Sequence, residues 1–259
     1  MPHIDADGAR IYYEVSGTPG KPWLMFSNSL GTRLEMWEGQ SDALAGEYRI
    51  LRYDSRGHGR SDAPTGAYDI DRLGRDALAL LDALGIGKAR FCGLSMGGMV
   101  GMWLGANAPD RIERLVLCNT GTLLGPPELW TQRIETVTAS CMAALTEAVI
   151  ERWFTPEFRA AHPEKVTPVR QMLLDTPAAG YAGCCAAIRD MDQREAVKSI
   201  RIPSLVIGGT RDPATPASMA EELASSIPAA QLTLLDAAHL SNIEQEKAFS
   251  AAVSTFLRA

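Results

Sequence analysis

Residues Gly93-Leu94-Ser95-Met96-Gly97 constrain this chain more than any other segment. The apolar run Ala89-Arg90-Phe91-Cys92 leads into them, and the helix-like stretch Gly98-Met99-Val100-Gly101-Met102-Trp103 leads away. The pattern predicts a strand, a sharp turn and a helix, with Ser95 at the apex in a strained backbone conformation. Side chains two residues to either side of that serine would collide, which is why glycine stands at both places. Ser95 Oγ is then exposed beside a helix N-terminus, whose free N–H groups can hold a developing negative charge.

The pentapeptide alone is weakly specific, because a capping serine in a glycine-rich turn looks the same. Its surroundings sharpen it. Strand patterns fall at residues 10–15, 23–27, 48–53, 89–92 and 115–118. Between them, Leu73, Ala77, Leu80, Leu81 and Leu84 make one apolar stripe at helical spacing, ended by Gly85. Short strands alternating with such helices predict an α/β fold, a mostly parallel sheet covered on both faces. The alternation stops near Gly121, and residues 122–191 read as helical or irregular. Strand patterns return at 203–208 and 231–235, followed by a last helix carrying Phe249, Ala252, Val253, Phe256 and Leu257. The expected division is a core of residues 1–121 and 192–259, with 122–191 as a helical cap over the sheet's carboxyl edge.

A chain of 259 residues with 46% hydrophobic content can bury a substantial core. The formal net charge of −6 argues against nucleic acid or an anionic membrane as partner. No uninterrupted apolar run approaches a membrane span, and the N-terminus lacks a signal-peptide pattern. Five cysteines without metal-ligand spacing read as reduced residues of a cytoplasmic protein. No metal and no cofactor are expected, and the oligomeric state is left open.

Catalytic triads on a scaffold of this kind run Ser, acid, His in chain order. Of His3, His58, His162 and His239, only His239 leaves room after Ser95 for both a strand and an acid. Its expected role is general base toward Ser95. Asp212, in Gly208-Gly209-Thr210-Arg211-Asp212-Pro213, follows a strand and can accept the imidazole's other N–H. The position after the preceding strand, an alternative site for the acid, holds Asn119, which cannot carry the charge; Asp236 is too near His239 in the chain. Oxyanion donors are expected from the backbone of Met96, after the nucleophile, and of Leu30, in the loop after residues 23–27. The polar segment Tyr53-Asp54-Ser55-Arg56-Gly57-His58-Gly59-Arg60-Ser61 precedes Ser95 and reads as a hydrogen-bonded loop bracing the site's edge.

Five runs together carry a family resemblance: Ser27-Asn28-Ser29-Leu30-Gly31-Thr32, Arg52-Tyr53-Asp54-Ser55-Arg56-Gly57-His58-Gly59, Gly93-Leu94-Ser95-Met96-Gly97-Gly98, Gly209-Thr210-Arg211-Asp212-Pro213-Ala214-Thr215-Pro216 and Ala238-His239-Leu240-Ser241-Asn242-Ile243-Glu244-Gln245. The chain resembles the α/β-hydrolases and, within them, the 3-oxoadipate enol-lactonases. The resemblance implies a serine hydrolase that opens an anionic enol-lactone through an acyl-enzyme, in bacterial catabolism of aromatic compounds (the β-ketoadipate pathway). Dehalogenases and epoxide hydrolases of this fold use an Asp nucleophile where this chain has Ser95. A substrate with a free carboxylate calls for a cation. Arg133, one helical turn after Trp130, is the first choice; Arg33 and Arg189 compete with it. Trp130 and Trp153 are expected on the apolar side of the pocket. The alternatives are a carboxylesterase or other lactonase of the same fold, and a ligand-sensing protein of hydrolase shape.

Overall fold

The computed structural model describes residues 2–259. Among these, eight strands form one sheet: β1 (His3–Asp5), β2 (Arg10–Gly17), β3 (Trp23–Ser27), β4 (Arg49–Tyr53), β5 (Ala89–Leu94), β6 (Ile112–Cys118), β7 (Ser204–Gly209) and β8 (Gln231–Leu235). Their spatial order is β1-β2-β4-β3-β5-β6-β7-β8. The β1–β2 and β2–β4 pairs are antiparallel, and the remaining pairs are parallel. The sheet is therefore mostly parallel, as the strand–helix alternation predicts. Strand β1 was not expected; three residues with one apolar member carry no readable period.

Sequence pattern explains which strands lie inside. Trp-Leu-Met-Phe-Ser, the whole of β3, and Leu-Val-Ile-Gly-Gly in β7 are nearly continuous apolar or small runs, and both strands are buried along almost their whole length. Strand β8 sits at the edge and leaves Leu232 and Leu234 exposed.

Three α-helices precede β6 among the described residues: α1 (Glu38–Leu44), α2 (Ile70–Ala83) and α3 (Met96–Asn107). The Asp69 carboxylate caps α2 by accepting the Arg72 N–H at 2.6 Å, and Gly85 at φ +65° lets the chain turn away beyond its end. Leu73, Ala77, Leu80 and Leu81 bury the predicted stripe. Helix α3 is apolar on most of its circumference, so it is covered nearly all round, between β5, β6 and α2.

Helices α4 (Pro127–Ser140), α5 (Ala143–Trp153), α6 (Pro156–Ala161), α7 (Pro163–Asp175) and α8 (Ala178–Arg189) all lie between β6 and β7, in the strandless stretch. Helices α9 (Ala217–Ser226), α10 (Ser241–Glu244) and α11 (Glu246–Arg258) complete the chain. Helix α8 docks directly on the polar loop after β4. Tyr68 donates its N–H to Gly183 O at 3.1 Å, and the Cys184 thiol reaches Arg56 O at 3.6 Å. The closest approach is backbone to backbone: a Cβ on Gly180 would overlap the main chain of Gly57, itself at φ +81°. Gly180→Ala is therefore expected to destabilise the fold by about 1–3 kcal/mol through forced separation of the two backbones. Urea unfolding checks this; a shift under about 0.5 kcal/mol would show that α8 yields at that point.

Candidate active site

Ser95 occupies φ +57°, ψ −115°, a region that non-glycine residues seldom adopt. Neighbouring backbone and one side chain hold it there. Its N–H donates to Cys118 O on β6 at 2.8 Å, and its carbonyl accepts from Met99 N–H at 3.0 Å and Thr120 Oγ1 at 2.9 Å. A Cβ at Gly93 would strike the Gly97 carbonyl, and one at Gly97 would strike the Ser27 carbonyl. The turn thus requires both glycines for the reason the sequence implies.

The loops after β7 and β8 bring Asp212 and His239 together. His239 Nδ1 lies 2.8 Å from Asp212 Oδ2, and both side chains are almost wholly buried. Asp212 Oδ2 also accepts from Thr215 Oγ1 at 2.6 Å and Asn119 Nδ2 at 2.9 Å. Oδ1 accepts the N–H groups of Ala214 and Thr215 at 2.7 and 3.0 Å. Burial pushes this carboxyl's pKa up, but the charge on His239 and the hydrogen bonds from His239, Thr215 and Asn119 outweigh it and hold the group at about 2. Asp212 is therefore an anion, and the ring's Nε2 is the nitrogen left to accept a proton. Asp236 is exposed and takes no part.

Ser95 and His239 line one cavity of about 320 Å³ at the carboxyl edge of the sheet, with Leu30, Trp130, Trp153 and Arg133 also in its wall. Among the described residues no hydrogen bond joins Ser95 Oγ to the imidazole, although the two share a wall. Such bonds are often loose until substrate binds. The ring of Trp153 stacks toward His239, with centroids 6.3 Å apart. Neither the Leu30 nor the Met96 backbone N–H has an acceptor among the described residues.

The arginines separate cleanly. Arg133 lies over the Trp130 ring at 5.1 Å and reaches Tyr181 Oη at 3.4 Å. Arg33, expected as a carboxylate ligand, is not in the cavity wall; Glu35 and Asp175 pair with its Nε and Nη1, each at 3.2 Å. Arg189 is likewise engaged, by Asp190 at 2.7 Å. Sequence reasoning overlooked Arg152, next to Trp153 on α5, which does line the cavity. It also passed over Asn119 as unable to carry charge. In the fold, Asn119 holds the acid: it donates to Asp212 and accepts from Ser241 Oγ at 2.6 Å.

The polar loop after β4 braces the segment that carries Leu30. Gly31 donates its N–H to His58 Nε2 at 2.8 Å, so the ring's proton sits on Nδ1, facing Arg56 O at 3.2 Å. Asp54 accepts the N–H groups of Leu34 and Arg60, both at 2.8 Å.

A nucleophile elbow at the carboxyl edge of such a sheet, with acid and histidine supplied by the later strand loops, defines a class. The chain belongs to the α/β hydrolase fold family, whose pattern it matches over residues 22–246. Within that class, 3-oxoadipate enol-lactonase 2 of Acinetobacter baylyi is 39% identical over 255 residues, spanning 98% of this chain and 96% of that protein. The crystal structure of the enol-lactonase from Burkholderia xenovorans LB400 matches with a TM-score of 0.98 at 43% identity, covering 100% of both chains. That of a hydrolase from Pseudomonas aeruginosa PA01 matches with a TM-score of 0.97 at 46% identity, covering 100% of this chain and 98% of the other. The likeness seen in five short runs extends over essentially the whole chain.

The bracing histidine has a consequence for acid stability. Burial drives the His58 pKa down to about 4, against a small opposing pull from Arg56 O. An unfolded chain protonates this residue near 6.5. Between those values the unfolded state binds a proton that the folded state refuses, so stability falls as pH drops from about 7 to about 4. The expected loss is about 3 kcal/mol. His58→Leu should flatten that part of the curve while lowering stability at neutral pH, because it leaves the Gly31 N–H unpaired. Urea unfolding across this pH range tests both; an unchanged slope in the variant would place the acid sensitivity elsewhere.

Proposed function

We propose that this protein is a serine hydrolase that opens 3-oxoadipate enol-lactone to 3-oxoadipate, through an acyl-enzyme on Ser95. The observation that carries the proposal is the single cavity whose wall contains Ser95 and His239, the latter held by a buried, ionised Asp212. Likeness over almost the full chain to proteins named enol-lactonases supports the choice of substrate.

Each residue has a task in that scheme. His239 Nε2 removes the proton as Ser95 Oγ attacks the lactone carbonyl. The oxyanion is held by the Met96 and Leu30 N–H groups, an arrangement worth a few kcal/mol of transition-state stabilisation per donor. The ring opens with an enolate as leaving group, which His239 or solvent protonates. Water, activated by His239, then cleaves the acyl-enzyme. Asp212 keeps the imidazole in the useful tautomer and stabilises its charged form. Arg133 receives the substrate's free carboxylate, while Trp130 and Trp153 provide the apolar walls.

Residues 122–191 act in this scheme as a cap, with α4 and α5 supplying Trp130, Arg133 and Trp153 and the sheet's carboxyl edge supplying the reacting groups. Five free cysteines suit a cytoplasmic location, where thiols stay reduced. Among the described residues no helix is long and apolar enough to cross a membrane.

The test is loss of enol-lactone ultraviolet absorbance on addition of purified protein. Ser95→Ala is expected to lower kcat by about 10⁴-fold or more. Ordinary turnover by that variant would remove Ser95 as nucleophile. Good hydrolysis of simple esters with none of the lactone would favour a carboxylesterase instead.

A further inference from the structure

Two arginines line the cavity, Arg133 on α4 and the more exposed Arg152 on α5. Most other arginines beside this site are spoken for: Arg33 by Glu35 and Asp175, Arg189 by Asp190, Arg211 by Glu157 at 2.8 Å. Among the described residues no carboxylate lies within 4.0 Å of Arg133 or Arg152. The partner of Arg133 is a neutral phenol, that of Tyr181. The surrounding wall is largely apolar, with Leu124, Leu129, Val149 and Ile188 in it beside the two tryptophans.

Two like charges that face one apolar cavity without a counterion form an arrangement that an anion improves. Arg152 feels this directly. Arg152 keeps part of its surface in solvent; where it borders the cavity, desolvation lowers its pKa and the charge of Arg133 lowers it further, with Asp212 and Tyr181 pulling only partly the other way. It remains a cation, because guanidinium groups do not lose their proton in this range. A carboxylate between the two arginines would accept charge-assisted hydrogen bonds from rigid donor forks and relieve the repulsion between them.

We infer that Arg152 and Arg133 together anchor a carboxylate remote from the reacting carbonyl, and that the site therefore hydrolyses half-esters of short dicarboxylic acids in preference to neutral esters of equal length. This rests on the acyl-enzyme chemistry proposed for Ser95, not on the identity of the lactone. The cations come from helices of the insertion and the nucleophile from the sheet, so recognition and chemistry are supplied by different parts of the fold. Nothing in the chemical step requires the carbonyl to belong to a ring. With monomethyl adipate, Ser95 Oγ bonds to the ester carbon, methanol leaves with the proton carried by His239, and water releases adipate. One ester and one water give one acid and one alcohol, with no oxidant or second substrate.

The experiment compares kcat/KM for monomethyl adipate and methyl hexanoate in a pH-stat at neutral pH, using the intact protein. These esters have acyl chains of equal length and differ in the remote carboxylate. The half-ester is expected to be preferred by about tenfold to a hundredfold, the worth of hydrogen bonds to a charged group in a partly enclosed site. Arg152→Gln should cut that preference by about tenfold, chiefly through KM, and Arg152→Lys should restore part of it. In the unmodified protein, raising salt from about 0.05 M to about 0.5 M should erode the preference, a readout that survives even if the variants fold poorly. Equal kcat/KM for the two esters, cleavage of neither, or a preference untouched by both Arg152→Gln and salt would overturn the inference. The enol-lactone assay on the same preparation separates the two proposals. Lactone opening without ester preference defeats only the anchor. Half-ester preference without lactone opening defeats only the lactone as substrate.

Discussion

An ionised carboxylate with no access to water is the constraint around which this site is built. Isolated in an apolar interior, Asp212 would take up a proton and lose its hold on His239. It stays charged because donors converge on both oxygens: the Ala214 and Thr215 N–H groups on Oδ1, and Thr215 Oγ1, Asn119 Nδ2 and the His239 ring on Oδ2. Those donors come from three strand ends, since Asn119 follows β6, Thr215 belongs to the loop after β7 and His239 follows β8. Satisfying one buried charge thereby fixes the relative positions of three loops. Removing one donor would leave a buried charge short of partners, a cost larger than an ordinary hydrogen bond.

The same economy extends outward from His239. The segment after it is tied to both halves of the site. Glu244 accepts the Ala238 N–H at 3.0 Å and also the Thr155 hydroxyl at the start of α6, while Leu240 donates its N–H to Trp153 O at 3.1 Å. On the other side, Asn242 and Gln40 exchange buried hydrogen bonds, and Asn242 Nδ2 reaches Met36 O at 2.9 Å, just beyond the loop that carries Leu30. His58 and Asp54 then hold that loop from below. Buried polar networks of this kind rigidify what they satisfy, and a reacting constellation needs that rigidity more than the fold does.

Local chemistry was legible in the sequence; partnership across distance was not. The elbow declares itself because steric necessity acts within five residues, and the strands at 23–27 and 231–235 declare themselves through short apolar runs. Asp212 and His239 could be placed because strand ends must meet at one edge of a parallel sheet. Arg33 could not be excluded, since one of the two carboxylates that pair with it, Asp175, lies 142 residues away on α7. Asn119 shows a different limit. Its inability to carry charge spoke only against its being the acid; that its amide donates to Asp212 and accepts from Ser241 needed the fold. Arg152 gave no signal at all, because an arginine in the last turn of a helix is also what the helix dipole favours at a solvated surface. Only the fold shows that this turn borders the cavity.

Charge at the cavity also runs against charge on the whole. The chain carries a formal net charge of −6, which on its own would discourage an anionic substrate. Distance decides between the two. Charges more than about 8–10 Å away through solvent are largely screened at physiological salt. A guanidinium about 4 Å from a carboxylate contributes up to about 4 kcal/mol at an effective dielectric of about 20. Two arginines without acidic partners therefore outweigh a scattered surplus of surface carboxylates. The proposed anchor therefore depends on the two nearby arginines and not on the sign of the charge summed over the chain.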